Sequence, residues 1–155
     1  MPVFNFIQWS QDQGGWLTKD GPVIQVEISM PTALEAWCVQ NHVPIPAPVS
    51  GYALIDTGAS ISGIHQPILD QLSLTPIDEI PIVTPAGAGR TPVYPTKVSF
   101  PSLNVKNQSL SRVVGSQLDW KTSQGERIVM LLGRDLLHNG IFVYNSSFNH
   151  FAIAY

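Results

Sequence analysis

The sequence predicts an all-β single domain, a barrel-like fold with one short helix. Three observations carry that prediction. Thirteen prolines and twelve glycines interrupt the 155 residues, and few windows between them are long enough for a helix free of both. The runs between these breakers alternate apolar and polar residues or are apolar throughout, as strands do. Apolar residues at helical spacing are sparse. A chain of this length suits one domain and can bury a core without metal or disulfide staples.

Taken in order, residues 23–28 (VIQVEI) alternate like a half-buried strand, and residues 52–55 (YALI) form a short apolar strand that ends at Asp56. Residues 80–83 and 93–100 flank PAGAGRT (85–91), which reads as the tip of a hairpin. Further strands are expected over 102–114, 127–132, 141–144 and 148–155, the last two joined through Asn145-Ser-Ser. The expected helix covers 66–72, with a proline at an early position and Ile68, Leu69 and Leu72 at helical spacing. One turn is expected at 135–138 and, inside a proline-rich insertion at 32–50, a turn or two of helix over 32–40. Residues 1–21 form an N-terminal extension to a domain that otherwise spans 1–155.

Composition removes several classes of function. Eight Lys and Arg against eleven Asp and Glu give a net charge of -3, without the clustered basic face of a nucleic-acid binder. Charged residues make up 12% of the chain, about half of ordinary usage, which points to a surface partly covered by a partner. The single cysteine, Cys38, excludes a disulfide framework and a cysteine zinc site. The N-terminus lacks the features of a signal peptide, and the longest uncharged stretch is broken by Pro44, Pro46 and Pro48, so a cytoplasmic protein without a membrane span is expected. His42, His65, His138 and His150 show no metal-ligand spacing, and no metal or other cofactor is expected.

Chemistry concentrates in LIDTGAS (54–60). An apolar strand delivers an acid to its end, and a hydroxyl residue and a glycine then turn the chain sharply. Gly58 permits backbone angles and a close approach that a side chain would block. Asp-Thr-Gly is also an ordinary turn, so the second segment matters: VMLLGRDLL (129–137) follows some seventy residues later.

Together these segments resemble the retropepsin-type aspartic proteases, the family of retroviral and retroelement proteases and their free-standing bacterial relatives. The order of parts agrees: strand, Asp-Thr-Gly-Ala, a hairpin with a glycine-rich tip, more strands, then Leu132-Gly133-Arg134-Asp135 and a helical turn. The resemblance covers about residues 23–144. The free-standing bacterial branch is the expected affiliation, because the chain begins at Met1 without a flanking polyprotein. The resemblance implies that Asp56 is the catalytic aspartate. It implies that Thr57 ties two such loops together across a dimer axis and that Gly58 and Ala59 meet a bound peptide. Ala86, Gly87, Ala88 and Gly89 become the tip of a flap over substrate. Gly133, Arg134 and Asp135 support the catalytic loop. Retroviral members place a second acid soon after the motif, to pair with the later arginine. Here Ser60 and Ile61 stand in that stretch, leaving Arg134 without that partner.

Aspartic proteolysis needs two carboxylates sharing a proton, and this chain has one Asp-Thr-Gly. An enzyme of this kind must therefore be a homodimer, with one Asp56 from each subunit acting on an extended peptide. The apolar chain ends, 2–9 and 148–155, either interleave into an intersubunit sheet or cover the core of their own subunit. The alternative to an enzyme is a peptide-binding or dimerisation module on the same fold.

Overall fold

A computed structural model describes residues 7–10, 16–84, 87–103, 105–138 and 140–154. The body is a closed barrel of six strands: β2 (Val23–Ser29), β3 (Val49–Ile55), β4 (Gly63–His65), β6 (Gly87–Phe100), β7 (Val105–Ser116) and β9 (Arg127–Leu132). Around the ring the order is β2-β3-β9-β4-β7-β6, and β6 closes on β2 through Glu27 opposite Ser99 and Ile28 opposite Val98. Closure removes the sheet edges that would otherwise offer unpaired backbone groups. β5 (Asp78–Thr84) extends β6 as a long hairpin, and β8 (Trp120–Lys121) lies against β9.

The pattern of the strands explains the ring. In β2, Ile24, Val26 and Ile28 are buried and Gln25 is exposed, whereas Ile128, Val129, Met130 and Leu132 give β9 an almost continuous buried run. Such a run marks a strand covered on both sides. It pairs β3 in parallel and β4 antiparallel. The core between the walls includes Phe100, Ile64, Leu69, Leu103 and Met130. Gly51 marks where β3 presses on β9: a Cβ there would stand 2.6 Å from the Val129 side chain.

α3 (Gln66–Gln71) is the expected helix, with Pro67 in its first turn and Ile68 and Leu69 buried. Helical turns also form where expected, as α2 (Thr32–Gln40) and α4 (Arg134–Leu137). α1 (Trp16–Asp20) is a helix that the sequence pattern leaves out. α2 buries Cys38 but exposes Trp37 and Val39, and it is fastened to β6 by an ion pair of 2.6 Å between Glu35 and Lys97. The stretch expected as a strand from Ser102 begins instead with a 3-10 turn, Pro101–Leu103. The glycine-rich stretch after Ala86 is strand rather than loop, because Gly87 to Thr91 pair with Thr84 to Ile80.

A second sheet orders β1 (Ile7–Ser10), β11 (His150–Ala154) and β10 (Ile141–Asn145), with β11 in the middle. β10 and β11 form the expected hairpin, joined by the 3-10 turn Ser146–Phe148. The two ends of the chain thus pair with each other within one subunit, Ile7 opposite Ile153. Leu17 is the rivet between α1 and this hairpin. Its N–H donates to Asn149 Oδ1 at 3.0 Å, and its carbonyl accepts from the Tyr144 hydroxyl at 3.1 Å. Phe142 and Phe151 meet as a tilted pair, ring centres 6.3 Å apart, on the side facing the core. No helix among the described residues is long and apolar enough to cross a membrane.

Candidate active site

Asp56 stands at the end of β3, where the parallel neighbour β9 also ends. Its N–H donates to the Leu132 carbonyl at 2.9 Å, so the barrel wall itself fixes the backbone of the acid. The chain then turns. The Ala59 N–H donates to the Asp56 carbonyl at 3.2 Å, and the Gly58 N–H donates to Asp56 Oδ1 at 2.8 Å. One carboxylate oxygen is thus held from within the loop. Oδ2 of Asp56 and the hydroxyl of Thr57 have no hydrogen-bond partner among the described residues, and Thr57 is exposed.

The Gly133-Arg134-Asp135 segment packs behind this turn and holds it at three points. The Arg134 N–H donates to the Ala59 carbonyl at 2.9 Å, and its Nη1 donates to the Thr57 carbonyl at 2.6 Å. Asp135 reaches Ser62, accepting from its N–H at 2.9 Å and its hydroxyl at 2.7 Å. The Ser62 hydroxyl in turn accepts from the Gly133 N–H at 3.0 Å. Gly133 cannot be larger: a Cβ would lie 2.9 Å from the Ile61 carbonyl carbon and 3.1 Å from the Ala59 oxygen. Arg134 therefore binds a neutral carbonyl where the resemblance leads one to look for an acid. Ser62 was not singled out from the sequence. Its signal is a small hydroxyl residue six places after Asp56, which only the approach of Asp135 makes meaningful.

A cleft of about 360 Å³ opens in front of the turn. Asp56, Gly58, Ala59 and Ser60 form one side. Ile61, Ile82, Val83, Val114 and Leu131 are among its apolar lining. Ile82, Val83, Val114 and Leu131 do not stand out in the sequence, because each belongs to an ordinary strand pattern. Among the expected flap residues, Gly87, Ala88 and Gly89 are exposed on the β5–β6 hairpin and do not line the cleft, while Ala86 lies outside the described residues. The hairpin meets the cleft through Ile82 and Val83 of β5, and Val83 is 84% exposed. His65 is not part of the site: it is buried, and its Nδ1 accepts from the Leu118 N–H at 3.1 Å.

Residues 48–136 match the sequence profile of a family described as Aspartyl protease. The chain belongs to the aspartyl protease family. The match spans the Asp56 turn, the hairpin and the Gly133-Arg134-Asp135 segment. No curated protein has a matching sequence. Two solved structures are similar to this aspartyl protease. The simian foamy virus (mac) protease is 18% identical over 74% of this chain and 89% of its own, with a TM-score of 0.44. A retropepsin-like aspartic protease from Rickettsia conorii is 15% identical over 86% of this chain and 92% of its own, with a TM-score of 0.45.

Proposed function

We propose that this aspartyl protease is a homodimeric endopeptidase that hydrolyses extended peptides with two copies of Asp56, one from each subunit. The observation that carries the reading is the half-satisfied loop. Gly58 holds one oxygen of Asp56, while the other oxygen and the Thr57 hydroxyl have no partner among the described residues. A second loop across a twofold axis supplies both, since Thr57 can bond across the axis and the two carboxylates can share a proton.

In the reaction, the ionised carboxylate takes a proton from a water held between the pair. The protonated carboxylate gives its proton to the scissile carbonyl oxygen as the water oxygen bonds to the carbonyl carbon. The resulting geminal diol collapses. The carbon–nitrogen bond breaks as the nitrogen takes the proton that the pair holds, a diol hydroxyl returns a proton to the other carboxylate, and the products are an amine and a carboxylic acid, with the pair again holding one proton. No acyl-enzyme forms. Gly58 and Ala59 meet the peptide backbone, and the hairpin carrying Gly87, Ala88 and Gly89 covers it as added strand. Gly133, Arg134 and Asp135 keep the loop in place. The apolar wall of Ile61, Val83 and Leu131 suits hydrophobic side chains beside the cut.

Asp56→Asn tests the reading, assayed on denatured protein substrates between pH 3 and 9. The expected loss is at least about 10³-fold in turnover. Wild-type activity is expected to peak at mildly acidic pH, where the pair holds one proton, and to fall as the second proton leaves. Turnover in Asp56→Asn equal to wild type, or a rate still climbing at pH 9, refutes the mechanism.

A further inference from the structure

The cleft in front of Asp56 is not apolar throughout. Beyond the turn at 56–60, its lining among the described residues is aliphatic or glycine except at Ser116, the last residue of β7. Ser116 is half buried, and its hydroxyl has no hydrogen-bond partner among the described residues. Two features hold that hydroxyl in the cleft. Gly63, also in the lining, leaves the room for it: a Cβ at Gly63 would stand 2.9 Å from Ser116 Oγ. Gly63 is buried in a strand and has no positive φ, so space and not backbone conformation calls for a glycine there. His65 fixes the backbone from behind. It stands opposite Ser116 in the β4–β7 pairing, and its Nδ1 accepts from the N–H of buried Leu118 at 3.1 Å. The segment carrying Ser116 is thus tied down on both sides of the hydroxyl.

The geometry points to Ser116 as a specificity-determining residue: the cleft takes, close to the scissile bond, a neutral substrate side chain with an apolar stem and a hydrogen-bonding tip, such as threonine or asparagine. The inference rests on the endopeptidase reading above and names the class of peptide that the site selects. A wholly aliphatic side chain in the cleft strips water from the Ser116 hydroxyl and offers it nothing in return, which is penalised. A threonine hydroxyl or an asparagine amide pairs with it, because a serine hydroxyl both donates and accepts. The stem of either side chain meets Ile82, Val114 and Leu131. A charged side chain gains less. The aliphatic wall strips its water, the serine hydroxyl cannot neutralise it, and an acidic one also meets the negative charge of the aspartate pair.

The test compares wild type with Ser116→Ala in two steps. First, both cleave a denatured protein mixture, and the fragment ends give the residues preferred at each position around the cut. The wild type is expected to enrich threonine and asparagine over valine and leucine at a position beside the scissile bond, and Ser116→Ala to lose that enrichment. Second, kcat/KM is measured on two peptides that differ only by threonine or valine at that position. These side chains have the same shape, so the ratio of the two rates isolates the hydroxyl. Ser116→Ala is expected to lower the threonine-to-valine ratio at least about fivefold, the worth of one neutral hydrogen bond. A merely structural role for Ser116 would lower both rates together and leave the ratio unchanged. Cleavage that Asp56→Asn abolishes, with the same residue preferences and the same ratio in wild type and Ser116→Ala, overturns the role of Ser116 and leaves the endopeptidase reading standing. A folded wild type that cleaves nothing between pH 3 and 9 overturns both.

Discussion

Ser62 is fully buried beneath the Asp56 loop, and its hydroxyl does two things at once: it donates to Asp135 Oδ1 and accepts from the Gly133 N–H. Ser62→Ala removes both. The lost bond to a carboxylate contributes about 1.5–3 kcal/mol, and a buried Gly133 N–H left without an acceptor costs about 1–3 kcal/mol more. Asp135 keeps the N–H groups of Ser62 and Leu136 and, being only half buried, recovers part of the loss from water. A net destabilisation of about 3 kcal/mol is expected. For a chain of this size that corresponds to a Tm lower by about 9 °C. The assay is thermal unfolding followed by circular dichroism, at one fixed protein concentration so that any association equilibrium is held constant. Ser60→Ala is the control, two residues away and exposed, and is expected to shift Tm by less than about 2 °C. A fall in Ser62→Ala of less than about 3 °C would refute the claim that the hydroxyl joins the two segments.

Three further perturbations follow from the same geometry. Gly133→Ala drives a methyl against the backbone of Ile61 and Ala59, which cannot swing aside as a side chain does. A larger loss than Ser62→Ala is expected, read as a lower Tm and lost cleavage together. Glu35→Gln leaves the Lys97 ammonium, 11% exposed, without its partner. It is expected to cost about 1–2 kcal/mol and more than Lys97→Met, which leaves the more exposed Glu35 to water, both measured by urea unfolding. Val83→Asp alters an 84% exposed residue at the cleft. Stability should not change, while KM for apolar peptides should rise about tenfold, the worth of one Val buried against substrate; an unchanged KM would remove Val83 from the substrate path.

Much of the barrel was legible because its strands carry their own pattern. β9 occupies the stretch that the apolar run marks, and β2 extends the alternating one by a single residue. The Asp56 loop was legible for the same reason, an apolar strand ending at an acid and a glycine. What escaped depends on pairing between distant segments. Nothing local distinguishes Gly87 to Thr91 as strand, since their conformation comes from β5 opposite them. The pairing of the two chain ends within one subunit is likewise invisible in either end alone. Arg134 offered a charge in search of a charge, yet its partner is the Thr57 carbonyl, and main-chain acceptors leave no trace in a sequence. Trp16–Asp20 became a helix without helical patterning, held by the Leu17 bonds to Asn149 and Tyr144.

The clasp around the Asp56 turn joins residues separated by more than seventy positions: Asp56 to Leu132, Thr57 to Arg134, Ser62 to Asp135. Contacts of that span are slow to form, because a long loop must close before any of them is rewarded. During synthesis the acid loop leaves the ribosome well before Gly133-Arg134-Asp135 has been translated. Until then only the bonds within the loop, from the Gly58 and Ala59 N–H groups to Asp56, can hold it. The nascent polypeptide thus carries the Asp56 turn in an unclasped form, and the clasp arrives only with the last fifth of the chain.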